Sequence, residues 1–239
     1  MNGLKITWLG HSTLLLTTPT GRRLLVDPWL AGNPSCPAEY ATVESDAILV
    51  THGHFDHVGS LFDAATRCTG PVVCNYETSV WAGRKGIASE RLVGMNKGGS
   101  FRIPGIDATV TMTDAHHSSS AQDEAGNIIY LGEPAGFVVT VDGCPPVYIA
   151  GDTCVFGDMA LIAELYEPAV AVLPIGDLFT MSPREAAVAC RLLKVQAVIP
   201  YHYGTFPLLT GTPADLENEL STRGVVAAVW SGQPGVTFS

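Results

Sequence analysis

The sequence predicts a layered α/β domain with mixed sheets. Three observations lead there: many short apolar or β-branched runs bounded by Gly, Pro, Asn or Asp, a hairpin signal near the start, and strand–helix alternation towards the end. Strands are expected at residues 5–9, 13–17, 23–27, 47–51 and 72–74. Further strands are expected at 108–113, 136–141, 147–150, 170–173, 197–200 and 225–230. Pro19-Thr20-Gly21 separates the second and third runs and carries hairpin-turn chemistry, so the first sheet should begin antiparallel. One helix is expected at 58–67 and another at 158–167. A third begins at Ser182, which can cap, with Pro183 at the first helical position and Glu185 closing a capping box. Ala186, Ala189, Cys190 and Leu193 then follow helical spacing. Thr212-Pro213-Ala214-Asp215 repeats that kind of start before a last helix to about residue 223. Residues 75–105 read as loop-rich. No linker, repeat or low-complexity segment interrupts the chain, so residues 1–239 are expected to form a single domain.

Composition narrows the functional classes. The chain has 239 residues, 46% hydrophobic against 15% charged, enough to bury a sizeable core. Lys and Arg number 13 and Asp and Glu 23, a formal net charge of −10. That balance disfavours a nucleic-acid backbone, which needs a basic footprint, and an anionic membrane surface. No apolar run approaches the roughly 20 residues of a membrane-spanning helix, and the first residues lack the pattern of a secretory leader. The six cysteines form no Cys-x-x-Cys pair and are expected to be reduced and mostly buried, Cys154 included. A cytoplasmic protein is the expectation, with a small-molecule substrate, no nucleic-acid or membrane partner, and a homo-oligomeric state left open.

Chemistry concentrates in the histidines: His11, His52, His54, His57, His116, His117 and His202. Three of them, with Asp56, fall in Thr51-His52-Gly53-His54-Phe55-Asp56-His57. This segment follows the apolar run Asp46-Ala47-Ile48-Leu49-Val50 and precedes a helical stretch. A loop leaving a strand end can turn His52 and His54 to one side, with Gly53 allowing a tight backbone path between them. Asp56 and His57 then fall at the start of a helix. Imidazole and carboxylate are the usual ligands of zinc and its first-row neighbours. Asp152 and His202 each lie just beyond an expected strand, where sites on rigid scaffolds usually form.

His52-x-His54-x-Asp56-His57 resembles the signature of the metallo-β-lactamase superfamily, and the resemblance extends over nearly the whole chain. Its nearest form is similar to the UPF0173-type metal-dependent hydrolases, relatives of the ascorbate-phosphate lactonases. The matching segments include Gly10-His11-Ser12, Leu25-Val26-Asp27-Pro28, Ala115-His116-His117-Ser118-Ser119, Ala150-Gly151-Asp152-Thr153 and Pro200-Tyr201-His202-Tyr203. The resemblance implies a four-layer αββα sandwich of two mixed β-sheets, with a metal site at one edge. It implies two divalent metal ions: His52, His54 and His117 holding the first, Asp56, His57 and His202 the second, and Asp152 bridging. Zinc is the first expectation; the donor set equally suits manganese, iron, cobalt or nickel. His117 rather than His116 is taken as the ligand, because the family register places it immediately before the Ser-rich stretch.

Around these, Asp27 is expected to orient the ligand loop, and His11 to sit in the site and donate to a substrate oxygen. Ser118, Ser119, Ser120, Thr180, Tyr203 and Thr205 are candidate pocket residues. Leu178 stands where many relatives carry a polar residue, which suggests a more apolar substrate group. The expected function is a dinuclear metal-dependent hydrolase. A metal-bound hydroxide would attack a small ester, lactone or phosphodiester, and Asp56 would carry a proton. Alternatives are a metal-binding or interaction protein without turnover, and a di-iron redox enzyme. The latter normally pairs with a flavin module that this chain does not show. No Gly-x-Ser-x-Gly elbow or Gly-rich nucleotide loop is present.

Overall fold

The computed structural model describes residues 1–239. Seven strands build the first sheet: β1 (Lys5–Trp8), β2 (Leu14–Thr17), β3 (Arg23–Val26), β4 (Ala47–Leu49), β5 (Val72–Asn75) and β6 (Leu92–Met95), with β16 (Thr237–Phe238) from the chain's end. Its order is β16-β1-β2-β3-β4-β5-β6. The second sheet holds β7 (Ser100–Arg102), β8 (Ala108–Asp114), β11 (Ala135–Val141), β12 (Val147–Ile149), β13 (Val170–Pro174), β14 (Ala197–Tyr201) and β15 (Ala228–Val229). A hairpin of β9 (Ser120–Gln122) and β10 (Ile128–Tyr130) stands apart.

Both sheets are mixed in the same way. The first runs antiparallel from β1 to β3, through the expected Pro19-Thr20-Gly21 turn, then parallel from β3 to β6. The second runs antiparallel from β7 through β8 and β11 to β12, then parallel from β12 to β15. The parallel steps bring in helices: α1 (Phe55–Val58), α2 (Leu61–Thr66) and α3 (Tyr76–Arg84) on the first sheet, and α4 (Met159–Tyr166), α5 (Pro183–Leu193) and α6 (Pro213–Thr222) on the second.

The period-two alternation of strand side chains divides the core into three separate clusters. Leu24 and Val26 join Val170, Val172 and Ile199 in the cluster between the two sheets, whereas Leu25 turns to α1–α3 and Ala171 and Leu173 turn to α4–α6. Three apolar interfaces stacked in series make four layers, α/β/β/α, as the resemblance implies. Strands buried on both faces read as continuous apolar runs, which is why Leu-Leu-Val and Val-Ala-Val-Leu-Pro carry no polar alternation. No helix is long and apolar enough to cross a membrane.

Several local expectations differ from what is seen. The expected helix at 58–67 is two short helices. Gly59 and Ser60 interrupt it because Ser60 is used elsewhere: its N–H donates to Pro28 O (2.8 Å), and its Oγ accepts from the backbone N–H of Leu30 (2.9 Å) and Ala31 (3.1 Å). Residues 75–105, expected to be loop, hold α3, β6 and β7. The expected strand at 225–230 shrinks to Ala228–Val229. The capping box of Ser182 with Glu185, with Pro183 at the helix start, forms as expected.

Candidate metal centre

The parallel strands of both sheets deliver their C-terminal ends to one edge of the sandwich, where irregular loops take over. Asp27 follows β3, His52 to His57 follow β4, Asp152 follows β12 and His202 follows β14. His117 follows the antiparallel β8, and His11 sits in the β1–β2 turn. Backbone hydrogen bonds stitch the sheets together here: Ala135 N–H donates to Thr51 O (3.0 Å), and His202 N–H donates to His11 O (3.0 Å). His11, Asp27 and His202 all have positive φ (52°, 47° and 55°), a conformation costly for side-chain-bearing residues that clusters at functional sites.

Two glycines make the loops fit. At Gly151 (φ +65°) a Cβ would lie 2.7 Å from Ala135 O and 2.9 Å from Thr51 Cβ, so the loop carrying Asp152 can approach the ligand loop only without a side chain. Gly53 acts differently from the sequence expectation. Its φ is not positive; a Cβ there would stand 2.3 Å from Leu131 Cδ1. The requirement is space beneath the loop, not backbone freedom.

The side chains converge. His52 Nε2 and His54 Nδ1 lie 3.0 Å apart, and His52, His54 and His117 form one group able to hold a metal ion. His11, Asp56, His57 and His202 form another, and Asp152 joins His52 and His57. Asp152 Oδ2 lies 3.0 Å from His202 Nε2, 3.4 Å from His57 Nε2 and 3.7 Å from His117 Nε2, so this carboxylate stands between the groups. His116 stands outside: it is exposed, faces Asp114 at 3.2 Å and stacks on Phe156.

Asp27 holds the arrangement from below. Fully buried, it accepts from Thr51 N–H (2.8 Å), Thr51 Oγ1 (2.7 Å) and His57 Nδ1 (2.8 Å). The bond to Nδ1 fixes the proton there and leaves His57 Nε2 facing the site, as an oriented ligand imidazole requires. Thr51, which the sequence did not single out, also lies 3.1 Å from His52 Nδ1 through its hydroxyl. One substitution of roles concerns His11. Its ring is fully buried behind Asp56, with Nε2 2.9 Å from Asp56 Oδ2, so it positions that carboxylate and does not reach the cavity wall where a substrate oxygen would lie. Among the candidate pocket residues, Ser118 lines the cavity; Ser119 instead turns its hydroxyl to the histidine loop, where Oγ accepts from Gly53 N–H (3.2 Å), and Tyr203 stacks on Trp8. Cys154, expected to be buried, is exposed, because the loop beyond Asp152 turns outward where Cys154 N–H meets His116 O.

A profile described as the beta-lactamase superfamily domain matches residues 22–203. The chain is 50% identical over 236 residues to a UPF0173 metal-dependent hydrolase of Rubrobacter xylanophilus, covering 98% of this chain and 96% of that protein. It is 44% identical over 235 residues to a UPF0173 metal-dependent hydrolase of Archaeoglobus fulgidus, covering 98% of each. Among solved structures it resembles Igni18, a metallo hydrolase of Ignicoccus hospitalis, with a TM-score of 0.85 and 33% identity over 99% of this chain and 98% of that one. This chain belongs to the UPF0173 metal-dependent hydrolases of the metallo-β-lactamase superfamily.

Whether its own residues suit a cation can be tested on the polar atoms left over. His57 Nε2, His202 Nε2 and Asp152 Oδ1 are buried without a hydrogen-bond partner, and all belong to the groups that converge on Asp152. Buried polar atoms are nearly always satisfied, so a cluster of unsatisfied ones facing each other marks a place for a ligand. The electrostatics agree. Burial pushes His57 and His202 down, yet the Asp152 carboxylate outweighs it for both, helped by Asp27 at His57, and His202 rises to about 9. Burial pushes Asp152 up, but His202 and His57 hold it well below the usual carboxylate range. His52, His54 and His117 go the other way: burial lowers each, which keeps them neutral and able to coordinate. The donor set therefore fits a metal cation, with three neutral imidazoles in one group, the Asp56 carboxylate with His57 and His202 in the other, and the Asp152 carboxylate between them.

Proposed function

We propose that this protein is a dinuclear hydrolase of a small ester, lactone or phosphodiester. His52, His54 and His117 would hold one divalent cation, Asp56, His57 and His202 the second, and Asp152 both. The observation that carries this reading is the convergence of six donor residues around Asp152, with buried atoms of His57, His202 and Asp152 left unpaired, at the floor of an open cavity of about 770 Å³. That volume suits a small-molecule substrate. Divalent cations bound in such a pair supply Lewis acidity and make a water acidic enough to ionise near neutral pH.

The remaining work falls to the chain's own groups. Asp27 keeps His57 in the tautomer that presents Nε2. His11 anchors Asp56 through Oδ2, and the Asp56 backbone carbonyl accepts from Ser12 Oγ (3.1 Å), so the carboxylate is fixed where it lines the cavity. Oδ1 of Asp56 is then the oxygen placed to take a proton from attacking water and return it to the leaving group. Burial raises Asp56, and the hydrogen bond with His11 together with the nearby His202 and His57 imidazoles more than offsets it, so the group stays ionised and able to accept. Ser118, 3.3 Å from His54 Nε2, is placed to hydrogen-bond a substrate at the wall.

The test is turnover of metal-supplemented protein on chromogenic carboxylic esters, lactones and phosphodiesters, beside an Asp56→Ala/His57→Ala variant. Hydrolysis of one bond class that the variant loses supports the proposal. Full metal occupancy without turnover on any class overturns it in favour of a metal-binding protein.

A further inference from the structure

We infer that the site takes a substrate with no charged group remote from the reacting bond, whose alkyl or aryl portion is seated on an apolar wall above the metal centre. The inference rests on the hydrolase reading for the reaction but on separate residues for the recognition.

Four large apolar side chains, Phe55, Phe179, Phe206 and Leu208, line the cavity that opens over His54, His117, Asp152 and His202. Phe55 is 66% exposed, Phe179 50% and Leu208 57%. Single exposed apolar residues need no explanation; several gathered at one cavity mouth mark a binding surface. The wall is also held from behind. Trp29 stacks on Phe206 (ring centroids 5.9 Å apart) and meets Phe55 edge-on (5.7 Å), and Phe206 packs edge-on to His11. Two aromatic rings fixed by a buried tryptophan form a pre-organised surface, which lowers the cost of ordering on binding.

The turn that leads into Phe179 is built at a conformational cost. Asp177 and Leu178 both have positive φ (66° and 38°), a genuine outlier for a residue as bulky as leucine. Asp177 N–H donates to Met181 O (3.0 Å) and Leu178 N–H to Asp177 Oδ1 (2.9 Å), which closes the turn and presents Leu178, 62% exposed, beside Phe179. Strain of this kind persists where surrounding structure enforces it, commonly at ligand sites.

Charge decides between substrate types. No Lys or Arg lines the cavity; its charged or chargeable groups are Asp56, Asp152 and the three imidazoles His54, His117 and His202, all belonging to the metal centre. A carboxylate or phosphate group remote from the reacting bond would meet phenyl rings and leucine with no counter-ion, so the wall disfavours it.

The experiment compares 4-nitrophenyl heptanoate with 4-nitrophenyl hydrogen adipate, similar in length but ending in a methyl group or a carboxylate. Rates are measured on the metal-loaded protein and normalised to alkaline hydrolysis of each ester. Binding of heptanamide and acetamide, which are not turned over on this timescale, is measured calorimetrically on the same samples. Each methylene buried on the wall is worth a factor of about four in affinity. The expected results are a kcat/KM at least about tenfold higher for the heptanoate, tighter binding of heptanamide than acetamide, and loss of both preferences in Phe179→Asp/Leu208→Asp, with unchanged melting temperature. Equal or faster turnover of the adipate overturns the inference while leaving the hydrolase reading standing. Absence of turnover with heptanamide still preferred, and that preference lost in the variant, supports the wall and overturns the ester chemistry. If the variant instead changes the sedimentation of the protein and leaves both preferences intact, the apolar rim joins copies of the chain and the inference fails.

Discussion

Asp27 offers the sharpest perturbation, because its three acceptor contacts are all buried and all lead to the ligand loop. In Asp27→Ala, Thr51 Oγ1 can turn to His52 Nδ1, already 3.1 Å away, but Thr51 N–H and His57 Nδ1 are left without an acceptor. Two orphaned buried donors, one on an imidazole drawn positive by its neighbours, cost about 3–5 kcal/mol of stability. Asp27→Asn separates orientation from stability. Its amide has one oxygen and one NH2 group where three donors now point, so one donor must face another. If the NH2 meets His57, the ring can answer only by moving its proton from Nδ1 to Nε2, the atom that faces the site. The fold should lose about 1–3 kcal/mol, while metal affinity falls about 10- to 100-fold. Urea unfolding of chelator-treated protein reads the first quantity, and competition for zinc with a fluorescent chelator reads the second. A folded Asp27→Asn protein that binds zinc as tightly as the parent would refute the tautomer argument.

Further consequences can be checked singly. His117→Ala should lose metal and His116→Ala should keep it, since only His117 joins His52 and His54; equal loss in both, read by mass spectrometry, would contradict the ligand choice. Gly53→Ala should destabilise by about 1–3 kcal/mol through the clash with Leu131, and the penalty should vanish when it is introduced into Leu131→Ala; an additive double variant in denaturant unfolding would show that backbone conformation, not space, demands the glycine. Burial raises the Cys74 and Cys190 thiols to about 12, so at pH 8 roughly one molecule in ten thousand carries either as the reactive thiolate. Iodoacetamide should therefore label exposed Cys154 in the native protein and reach Cys74 and Cys190 only on unfolding or as pH approaches 12, and peptide mapping that finds Cys74 labelled as fast as Cys154 would contradict this.

Strands buried on both faces were legible because their residues announce themselves as uninterrupted apolar runs, and the helix starts at Ser182 and Thr212 were legible because capping is local chemistry. What escaped depended on distant partners. The segment Tyr76-Glu77-Thr78-Ser79-Val80-Trp81 is aromatic and β-branched and looks unlike a helix; its one local signal was Asn75, whose side chain accepts from Thr78 N–H. The same Asn75 donates to Leu131 O and Glu133 O, so that helix is fixed by a segment more than fifty residues away. Ser60 breaks its helix to serve the loop after Asp27, which no local pattern reveals. In the site, the residues that converge at the sheet edge were legible through the crowded histidine motif and its resemblance. Thr51 and the burial of His11 behind Asp56 were not, because each depends on how two sheets meet at one edge. Trp29 was likewise silent in the sequence, although it supports the cavity's aromatic wall.

The most direct test of the central claim is native mass spectrometry during a zinc titration, with turnover assayed on the same samples. The parent should bind about two zinc ions per chain. His54→Ala/His117→Ala and Asp56→Ala/His57→Ala should each fall to about one, Asp152→Ala should weaken both, and hydrolysis should follow double occupancy. A parent protein that takes no zinc, or variants of the two groups that retain full occupancy, would contradict the assignment of these residues as a metal centre.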